Sequence, residues 1–293
     1  MRIFVSYLIR AAAVALAVVL LSPLLSRLAP IEPKPMMDPV PGLLGSFILP
    51  FFSALLMAAA LAYPVSRSRL SGPARLAVVF LAVAGLNVLL TQIEAFVFLR
   101  MEPRELVLIT VNLLIQAAFL SLLAIVLFPS RADQASPDPS GGREWTPLGW
   151  TGRLALCSFL YLVLYLTAGL LILPYVKAFY DSQGTLNINP ALVLPLQLIR
   201  GALYVGVVLP LLRSMSVSRW QSSLAIAFLF PIVHAVSGLL MPNPYLPAEV
   251  RHWHMIEIGW SNFVYGGIVG FVFWNPRGGR VSREKIDAPA VAV

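Results

Sequence analysis

Cysteine and charged residues are both scarce in this chain. Cys157 is the single cysteine among 293 residues, so neither an intrachain disulfide nor a multi-thiolate metal site is available. Charged residues make up 12%, roughly half of their share in soluble domains. The basic residues behind the net charge of +8 stand singly at the ends of apolar runs, which argues against a nucleic-acid-binding face. No nucleotide-binding loop is visible, so direct coupling to ATP is not expected.

Apolar residues take the place of the missing charge. Hydrophobic residues make up 59% of the chain, and the mean hydropathy is +0.83. A helix needs roughly 20 apolar residues to cross a bilayer. Eight stretches are long enough: 3–25, 43–64, 75–99, 105–128, 153–176, 190–213, 219–240 and 253–274. The sequence therefore predicts an all-α integral membrane protein with about eight transmembrane helices and the lipid bilayer as its surroundings.

The longest polar connection divides the predicted helices into two sets of four. It reads PSRADQASPDPSGGREWTPLGWTG, a composition typical of a flexible linker. We expect a first membrane half over 1–129, a cytoplasmic linker over 130–152, a second membrane half over 153–275 and a basic cytoplasmic tail over 276–293. Each half has an even number of spans, so a repeat relating them would be parallel. LAVVFL at Leu76 and LAIAFL at Leu224 are similar, although the similarity does not extend over a whole helix.

The distribution of lysine and arginine predicts the orientation. With the N-terminus inside, the cytoplasmic connections carry roughly twice as many of these residues as the outer ones, in line with the positive-inside rule. Both termini are therefore expected in the cytoplasm. The first stretch has the basic start and apolar middle of a secretory signal but no clear small-residue cleavage site, so we expect it to be retained as a helix. The expected location is a bacterial-type inner cell membrane, crossed several times.

Ionisable and amide side chains recur at one predicted depth, which we call the outer polar layer. With a rise of about 1.5 Å per residue, Glu94 and His234 each lie roughly 9 Å from the outer ends of their helices. An ionisable group at such a depth is costly and suggests a functional site. The candidate ligand or proton site consists of Glu94, Asn112, Gln116, Gln197, Arg200, His234, His254, Glu257 and Asn262.

Arg200 demands a partner because an arginine at a helix centre costs about 2.5 to 3.5 kcal/mol even on permissive insertion scales. Glu94 and Glu257 are its natural counter-ions. Two interpretations stay open at this point: a working site, or a structural ion-pair network that fixes the packing of the helices.

The last predicted helix carries two further patterns. His254, Glu257, Ser261 and Tyr265 recur at spacings of three and four, which places them on one stripe. Gly266 and Gly270 have the GxxxG spacing, which favours close approach to another helix.

The histidines and glutamates of the outer polar layer suggest a metal as one alternative. His234, His254, Glu257 and Glu94 offer the nitrogen and oxygen ligands that suit zinc or another divalent ion. No compact HExxH motif is present. Neutral histidines hydrogen-bonded to backbone carbonyls or water would account for the same residues without a metal.

Phe230-Pro231-Ile232-Val233-His234 resembles the FxxxH pattern of CAAX-type intramembrane proteases, and Glu94 followed by Arg100 is similar to their EExxxR element. In that family the glutamate and the histidines bind a metal and activate water, so the resemblance implies such roles for Glu94 and His234. One glutamate stands where the family has two, its distance to the arginine is one residue longer, and no HxxxN follows. We therefore do not assign the chain to this family.

Three functions are compatible with the sequence. The first is binding of an ion, proton or small ligand in an outer-leaflet polar cavity, in connection with transport. The second is a metal-dependent intramembrane hydrolase, in which Arg200 or Asn262 would stabilise an oxyanion. The third is a structural subunit or scaffold that docks a partner membrane protein. Whether the protein is an enzyme stays open on the sequence.

Overall fold

The computed structural model describes residues 2–32, 34–98, 101–130, 145–183 and 189–274. Within these ranges the regular secondary structure is helical, and no strand is formed. The α-helices are α1 (Arg2–Leu25), α2 (Leu49–Ser66), α3 (Gly72–Val83), α4 (Leu90–Phe98), α5 (Pro103–Leu127), α6 (Pro147–Gln183), α7 (Pro190–Ser214), α8 (Arg219–Pro231), α9 (Ser237–Leu239) and α10 (Ala248–Val272).

Among the described residues, eight helical segments are long and apolar enough to cross a membrane, which confirms the predicted number of spans. They are Val5–Leu28, Leu44–Ser66, Gly72–Phe98, Pro103–Leu127, Pro147–Gln183, Ala191–Ser214, Arg219–Leu239 and Ala248–Val272. Many large apolar side chains on these segments are exposed, among them Ile9, Phe96, Val126 and Leu170. An exposed apolar surface of this kind fits lipid surroundings.

The fifth span begins earlier than its hydropathy indicates. The predicted linker ended at residue 152, whereas α6 begins at Pro147 and is 37 residues long. The Thr146 hydroxyl accepts a hydrogen bond from the Gly149 amide at 3.1 Å, and Pro147 occupies the first helical position. This N-terminal cap starts the helix inside the polar sequence. Residues 131–144 of the predicted linker and the predicted tail over 276–293 lie outside the described residues.

The third and seventh spans are each interrupted by a π-helical segment. Ala84–Leu89 connects α3 to α4, and Ile232–Val236 connects α8 to α9. These two segments contact each other. Their contact includes the Leu86 carbonyl, which lies 3.0 Å from His234 Nδ1. π-Helical turns are rare and often occur at functional sites, so this contact marks a candidate functional region.

Small residues bring the helices of the C-terminal part close together. A Cβ atom added at Gly266 would lie 2.4 Å from the Ile226 carbonyl oxygen of α8. A Cβ atom added at Gly270 would lie 2.7 Å from the Ser222 carbonyl oxygen of the same helix. The GxxxG spacing on α10 therefore serves helix packing, as its pattern predicts. Gly201 plays the same part between α7 and α6, because its Cβ would lie 2.8 Å from the Ser158 Cα atom.

The ends of α2 and α7 are joined by a short antiparallel bridge. The Arg69 amide donates to the Ser214 carbonyl and the Ser216 amide donates to the Arg67 carbonyl, each at 2.8 Å. The Ser68 and Ser214 hydroxyl oxygens lie 2.9 Å apart. This bridge ties an early segment of the chain to a late one at the helix ends remote from Glu94.

Candidate functional site

Arg200 is the centre of the most strongly charged buried group. It lies on α7 with none of its surface exposed. Its Nη2 atom lies 2.6 Å from Glu94 Oε1, and its Nη1 atom donates to Gln197 Oε1 at 2.8 Å. Gln197 is one turn earlier on the same helix and is also fully buried. We refer to Glu94, Gln197, Arg200 and His234 as the Arg200 cluster.

Glu94 reaches this cluster from α4, just beyond the π-helical segment Ala84–Leu89. Its side chain is 28% exposed, so it is the one member of the cluster that reaches the surface of the helix bundle. Its Oε2 atom lies 3.6 Å from His234 Nε2, which is too long for a direct hydrogen bond. Thr91, on the same helix, donates to the His234 carbonyl at 3.1 Å and fixes the backbone beside it.

The hydrogen bonds of His234 determine which of its nitrogens carries a proton. Nδ1 lies 3.0 Å from the Leu86 carbonyl oxygen. A carbonyl oxygen can only accept, so we assign a proton to Nδ1. In the neutral imidazole, Nε2 then presents a lone pair to the Glu94 carboxylate. Two acceptors face each other, and one further proton or a cation between them would turn this repulsion into attraction.

Aromatic side chains enclose the cluster on its other sides. The Arg200 guanidinium lies 5.6 Å from the ring centroid of Tyr161, within the range of a cation–π interaction. The Tyr204 ring packs edge-on against His234, with 5.4 Å between the centroids. Asn262 donates to the Tyr204 hydroxyl at 3.2 Å. These contacts separate the charged groups from lipid and strengthen every electrostatic interaction among them.

A second titratable group lies on α10, at the start of the predicted stripe. His254 Nδ1 lies 2.6 Å from Glu257 Oε2, and His254 Nε2 lies 2.6 Å from the Tyr180 hydroxyl. Ser261 donates to the Glu257 carbonyl at 2.6 Å. Glu257 and Tyr265 are largely buried, so this stripe faces the bundle interior. We refer to Tyr180, His254 and Glu257 as the His254 group.

The two groups are distinct but lie near each other. Glu94 and Glu257 both act electrostatically on Tyr161 and Tyr165 of α6. The Arg200 cluster is neutral when Glu94 and Arg200 are charged and His234 is not. The His254 group carries one negative charge when Glu257 is ionised and His254 is neutral. The uptake of one proton would therefore change the net charge of either group by one unit.

Two buried donors of the Arg200 cluster have no acceptor. Among the described residues, Arg200 Nε and Gln197 Nε2 lack a hydrogen-bond partner. Arg200 Nη2 is engaged in the ion pair with Glu94 at 2.6 Å. A buried donor without an acceptor costs about 1 to 3 kcal/mol. In native structures such a group calls for an explanation, often a water or an ion.

The structure brings together only part of the predicted outer polar layer. Glu94, Gln197, Arg200 and His234 form one cluster. Asn112 and Gln116 bond to each other at 2.5 Å, and Asn112 donates to the Ala29 carbonyl at 3.4 Å, in the segment that follows α1. The described hydrogen bonds of these two residues therefore do not include the Arg200 cluster.

His252, the third histidine, is exposed beside Trp253, with 5.9 Å between the rings.

The four suggested metal ligands fall into two separate pairs. His234 faces Glu94, whereas His254 bonds to Glu257. Across the described ranges, no group of three or more histidine, cysteine, aspartate or glutamate residues is arranged to hold a metal ion. The hydrolase alternative requires His234, His254 and one glutamate to hold a metal while the other glutamate acts as general base, and the two separate pairs do not match this requirement.

Sequence reasoning missed the tyrosines and a backbone group. Tyr180 reads as an interface anchor, yet its hydroxyl contacts His254. Tyr161 and Tyr204 stand in apolar runs where nothing marks them, and the Leu86 carbonyl has no sequence signal at all. Comparison with models of protein families, with curated proteins and with solved structures finds no match for this chain.

Proposed function

We propose that this chain is a multi-pass protein of a bacterial-type inner membrane that binds protons in its outer polar layer while transporting a small ligand. Eight apolar helices support a polytopic membrane protein. One observation carries the proton site. Because His234 Nδ1 donates to the Leu86 carbonyl, Nε2 faces the Glu94 carboxylate across 3.6 Å. The pair has a place for one more proton between these two acceptors.

Charge neutrality explains why this proton would be coupled to another event. With Glu94 and Arg200 both charged, the cluster is balanced. Adding a proton to Glu94 or His234 leaves one net positive charge beside a fully buried guanidinium. An unbalanced charge in a low-dielectric environment is unfavourable. Protonation therefore favours any rearrangement or ligand that restores the balance, which is the requirement for proton-coupled transport.

The finer architecture also belongs to this proposal: two four-helix halves with both termini in the cytoplasm. Two of the three described π-helical segments occur at matching places in the third and seventh spans, and the other, Leu44–Ile48, begins the second span. Leu86 and His234, which contact each other there, are 148 residues apart, the same separation as between the similar segments at Leu76 and Leu224. The cluster would then lie between two halves related by a parallel repeat, an arrangement found in transporters.

A structural subunit is the second candidate. The observation that favours it is the Glu94–Arg200 ion pair, which connects α4 to α7 and would fix their packing in the absence of any ligand. In that case the carboxylates would keep one protonation state over the working pH range. A measurement of proton binding by these carboxylates therefore distinguishes transport from a structural role.

Infrared difference spectroscopy of the detergent-purified chain tests the proposal. Acidification from about pH 8 to about pH 3, which spans the usual range of histidine and carboxylate titration, is expected to produce a carboxylic-acid band in the wild type. Glu94→Gln and Glu257→Gln should each remove one component of it. Glu249→Gln, on the exposed first turn of α10, is the matched control and should remove only a component at the position of an ordinary exposed glutamate.

The same spectra can contradict the proposal. If Glu94→Gln and Glu257→Gln leave the titration of the folded protein identical to that of the wild type, neither buried carboxylate binds a proton in this range. The structural candidate would then take first place.

A further inference from the structure

We propose that His254 is the residue that takes up the coupled proton from water, and that Glu257 holds this proton in place as the other half of an ion pair. This inference rests on the proposed function and names the first proton acceptor within it. His254 lies on the second turn of α10, and its side chain is 17% exposed. Its Nδ1 atom lies 2.6 Å from Glu257 Oε2, and its Nε2 atom lies 2.6 Å from the Tyr180 hydroxyl. Both ring nitrogens therefore have a partner at short hydrogen-bond distance.

The charge of Glu257 depends on His254 for its balance. The Glu257 side chain is only 12% exposed. Among the described residues, His254 is the only basic side chain within ion-pair distance of this carboxylate. Arg200, one of whose expected counter-ions is Glu257, is paired with Glu94 instead, at 2.6 Å. A largely buried carboxylate without a counter-ion is costly, so an imidazolium at His254 stabilises it.

A further proton has opposite electrostatic consequences in the two groups of the site. The Arg200 cluster is already balanced by its ion pair, so a proton there adds a positive charge beside a fully buried guanidinium. In the His254 group the same proton cancels the negative charge of the carboxylate and leaves a neutral pair. Two opposite charges at hydrogen-bond distance stabilise each other. The proton therefore binds to His254 before it binds to the Arg200 cluster.

His254 can keep both of its hydrogen bonds when it gains the proton. An ionised carboxylate only accepts, so we assign a proton to Nδ1 in both states. In the neutral ring Nε2 accepts from the Tyr180 hydroxyl, and in the imidazolium Nε2 donates to the oxygen of that hydroxyl. The hydroxyl hydrogen rotates to suit, so no heavy atom has to move. For each proton taken up, one hydronium ion becomes a water molecule and Nε2 gains one N–H bond.

Helix α6, which packs against α10, brings tyrosines and one exposed ion pair to this region. Tyr180 contacts the imidazole, and the Glu257 carboxylate acts electrostatically on Tyr161 and Tyr165. Lys177 and Asp181, near the end of α6, are paired with each other at 2.5 Å. Helix α6 therefore supplies hydroxyl groups to the site and no cation that is paired with its carboxylate.

The other neighbours of the pair have contacts of their own. His234, from the π-helical segment that packs against α10, lies 3.0 Å from a backbone carbonyl of the third span. Arg219 of α8 donates to a carbonyl at the C-terminal end of α10, remote from the pair. On α10 itself, Arg251 donates to a carbonyl of the preceding loop, and Glu249 and His252 are exposed. Helix α9 contains no ionisable residue. The exchangeable proton is thus confined to the His254 group.

NMR titration of the full chain in detergent micelles, with its three histidines isotope-labelled at the ring nitrogens, tests the inference from about pH 8 to about pH 5. Each nitrogen signal shows whether that atom carries a proton. His252→Gln and His254→Gln assign two of the histidines, and the third set of signals belongs to His234. We expect His254 to keep the proton on Nδ1 throughout and to gain a second proton on Nε2 as the pH falls.

Two substitutions at Glu257 separate its charge from its hydrogen bond. Glu257→Gln keeps an oxygen that accepts from Nδ1 but loses the charge, so the ratio of charged to neutral His254 at a fixed pH should fall at least about tenfold. Glu257→Leu also removes the acceptor, so the proton of the neutral ring should move to Nε2, where the Tyr180 oxygen accepts it. Glu249→Gln, on the exposed first turn of α10, is the matched control and should behave as the wild type. If the leucine variant does not fold, the glutamine variant carries the test.

Three results would overturn the inference. One is a neutral His254 in the wild type that carries its proton on Nε2, because the assigned hydrogen bonds would then be wrong. Another is a ratio of charged to neutral His254 that Glu257→Gln leaves unchanged. The last is a His254 that stays in one charge state over the whole pH range, because it would then exchange no proton with water.

The failure of this inference can be told apart from the failure of the proposed Arg200 site. If infrared titration shows a proton on Glu94 while His254 stays neutral, the proposed function stands and His254 is not its proton acceptor. If His254 gains its proton as expected while Glu94 binds none, the inference stands and proton binding by the Arg200 cluster fails. If neither residue binds a proton, both fail, and the structural candidate takes first place.

Discussion

Neutralising Glu94 should destabilise the protein strongly, and removing Arg200 as well should reverse most of the loss. Breaking a buried ion pair by removing one partner costs about 3 to 5 kcal/mol. Arg200 is fully buried, whereas the Glu94 side chain is 28% exposed, so we take the lower end, about 3 kcal/mol, for Glu94→Gln. The Gln197 hydrogen bond and the Tyr161 ring stay in place but do not neutralise the charge.

The double variant Glu94→Gln/Arg200→Met contains no unpaired charge. Replacing a buried pair by neutral residues is often neutral or stabilising. We therefore expect the double variant to be more stable than Glu94→Gln alone, with a coupling energy of about 2 to 3 kcal/mol between the two sites. Unfolding in mixed micelles with increasing SDS, followed by circular dichroism at neutral pH, gives these free energies. A coupling below about 0.5 kcal/mol would refute the account of the cluster as a mutually dependent charge pair.

Two other positions lend themselves to the same unfolding measurement. Gly266→Ala should lower the free energy of unfolding by about 1 to 3 kcal/mol, since its Cβ would lie 2.4 Å from a carbonyl oxygen of α8. Its control is Gly259→Ala on the same helix, which should be neutral or stabilising because no atom lies within 4 Å of the added Cβ. Tyr180→Phe should cost about 1 kcal/mol because it removes the hydroxyl at 2.6 Å from His254. Tyr175→Phe is its control, and equal losses in both tyrosine variants would contradict a specific role for that contact.

Hydropathy predicted the number of spans because lipid leaves the backbone few choices. Every amide and carbonyl at membrane depth must be satisfied within the segment, so an apolar stretch of sufficient length becomes a helix. The start of α6 at Pro147 depends on a different interaction, the Thr146 cap, which lies in a polar sequence that hydropathy assigns to the linker. The π-helical segments were not predicted, because apolar periodicity does not distinguish them from regular helix.

Depth along a helix could be estimated from the sequence, but direction around its axis could not. Glu94, Arg200 and His234 were placed at one level, and they do meet in the structure. Asn112 and Gln116 were placed at the same level, but their described contacts lie elsewhere. Which residues at one level meet depends on how each helix is rotated, and tertiary packing sets that rotation. The role of the Leu86 carbonyl is set in the same way.

The π-helical segment Ala84–Leu89 makes the charge pair sensitive to a change that hydropathy would not detect. Each residue of an α-helix turns the chain by about 100°. The wider π-helical turn holds more residues than a regular turn, so relaxation of the segment into regular helix with all its residues kept would swing Glu94 around the axis, away from Arg200. The span would remain long and apolar enough to insert. Insertion into the membrane and possession of the charge pair therefore depend on different properties of this span: its length and apolarity for the first, and its local winding for the second.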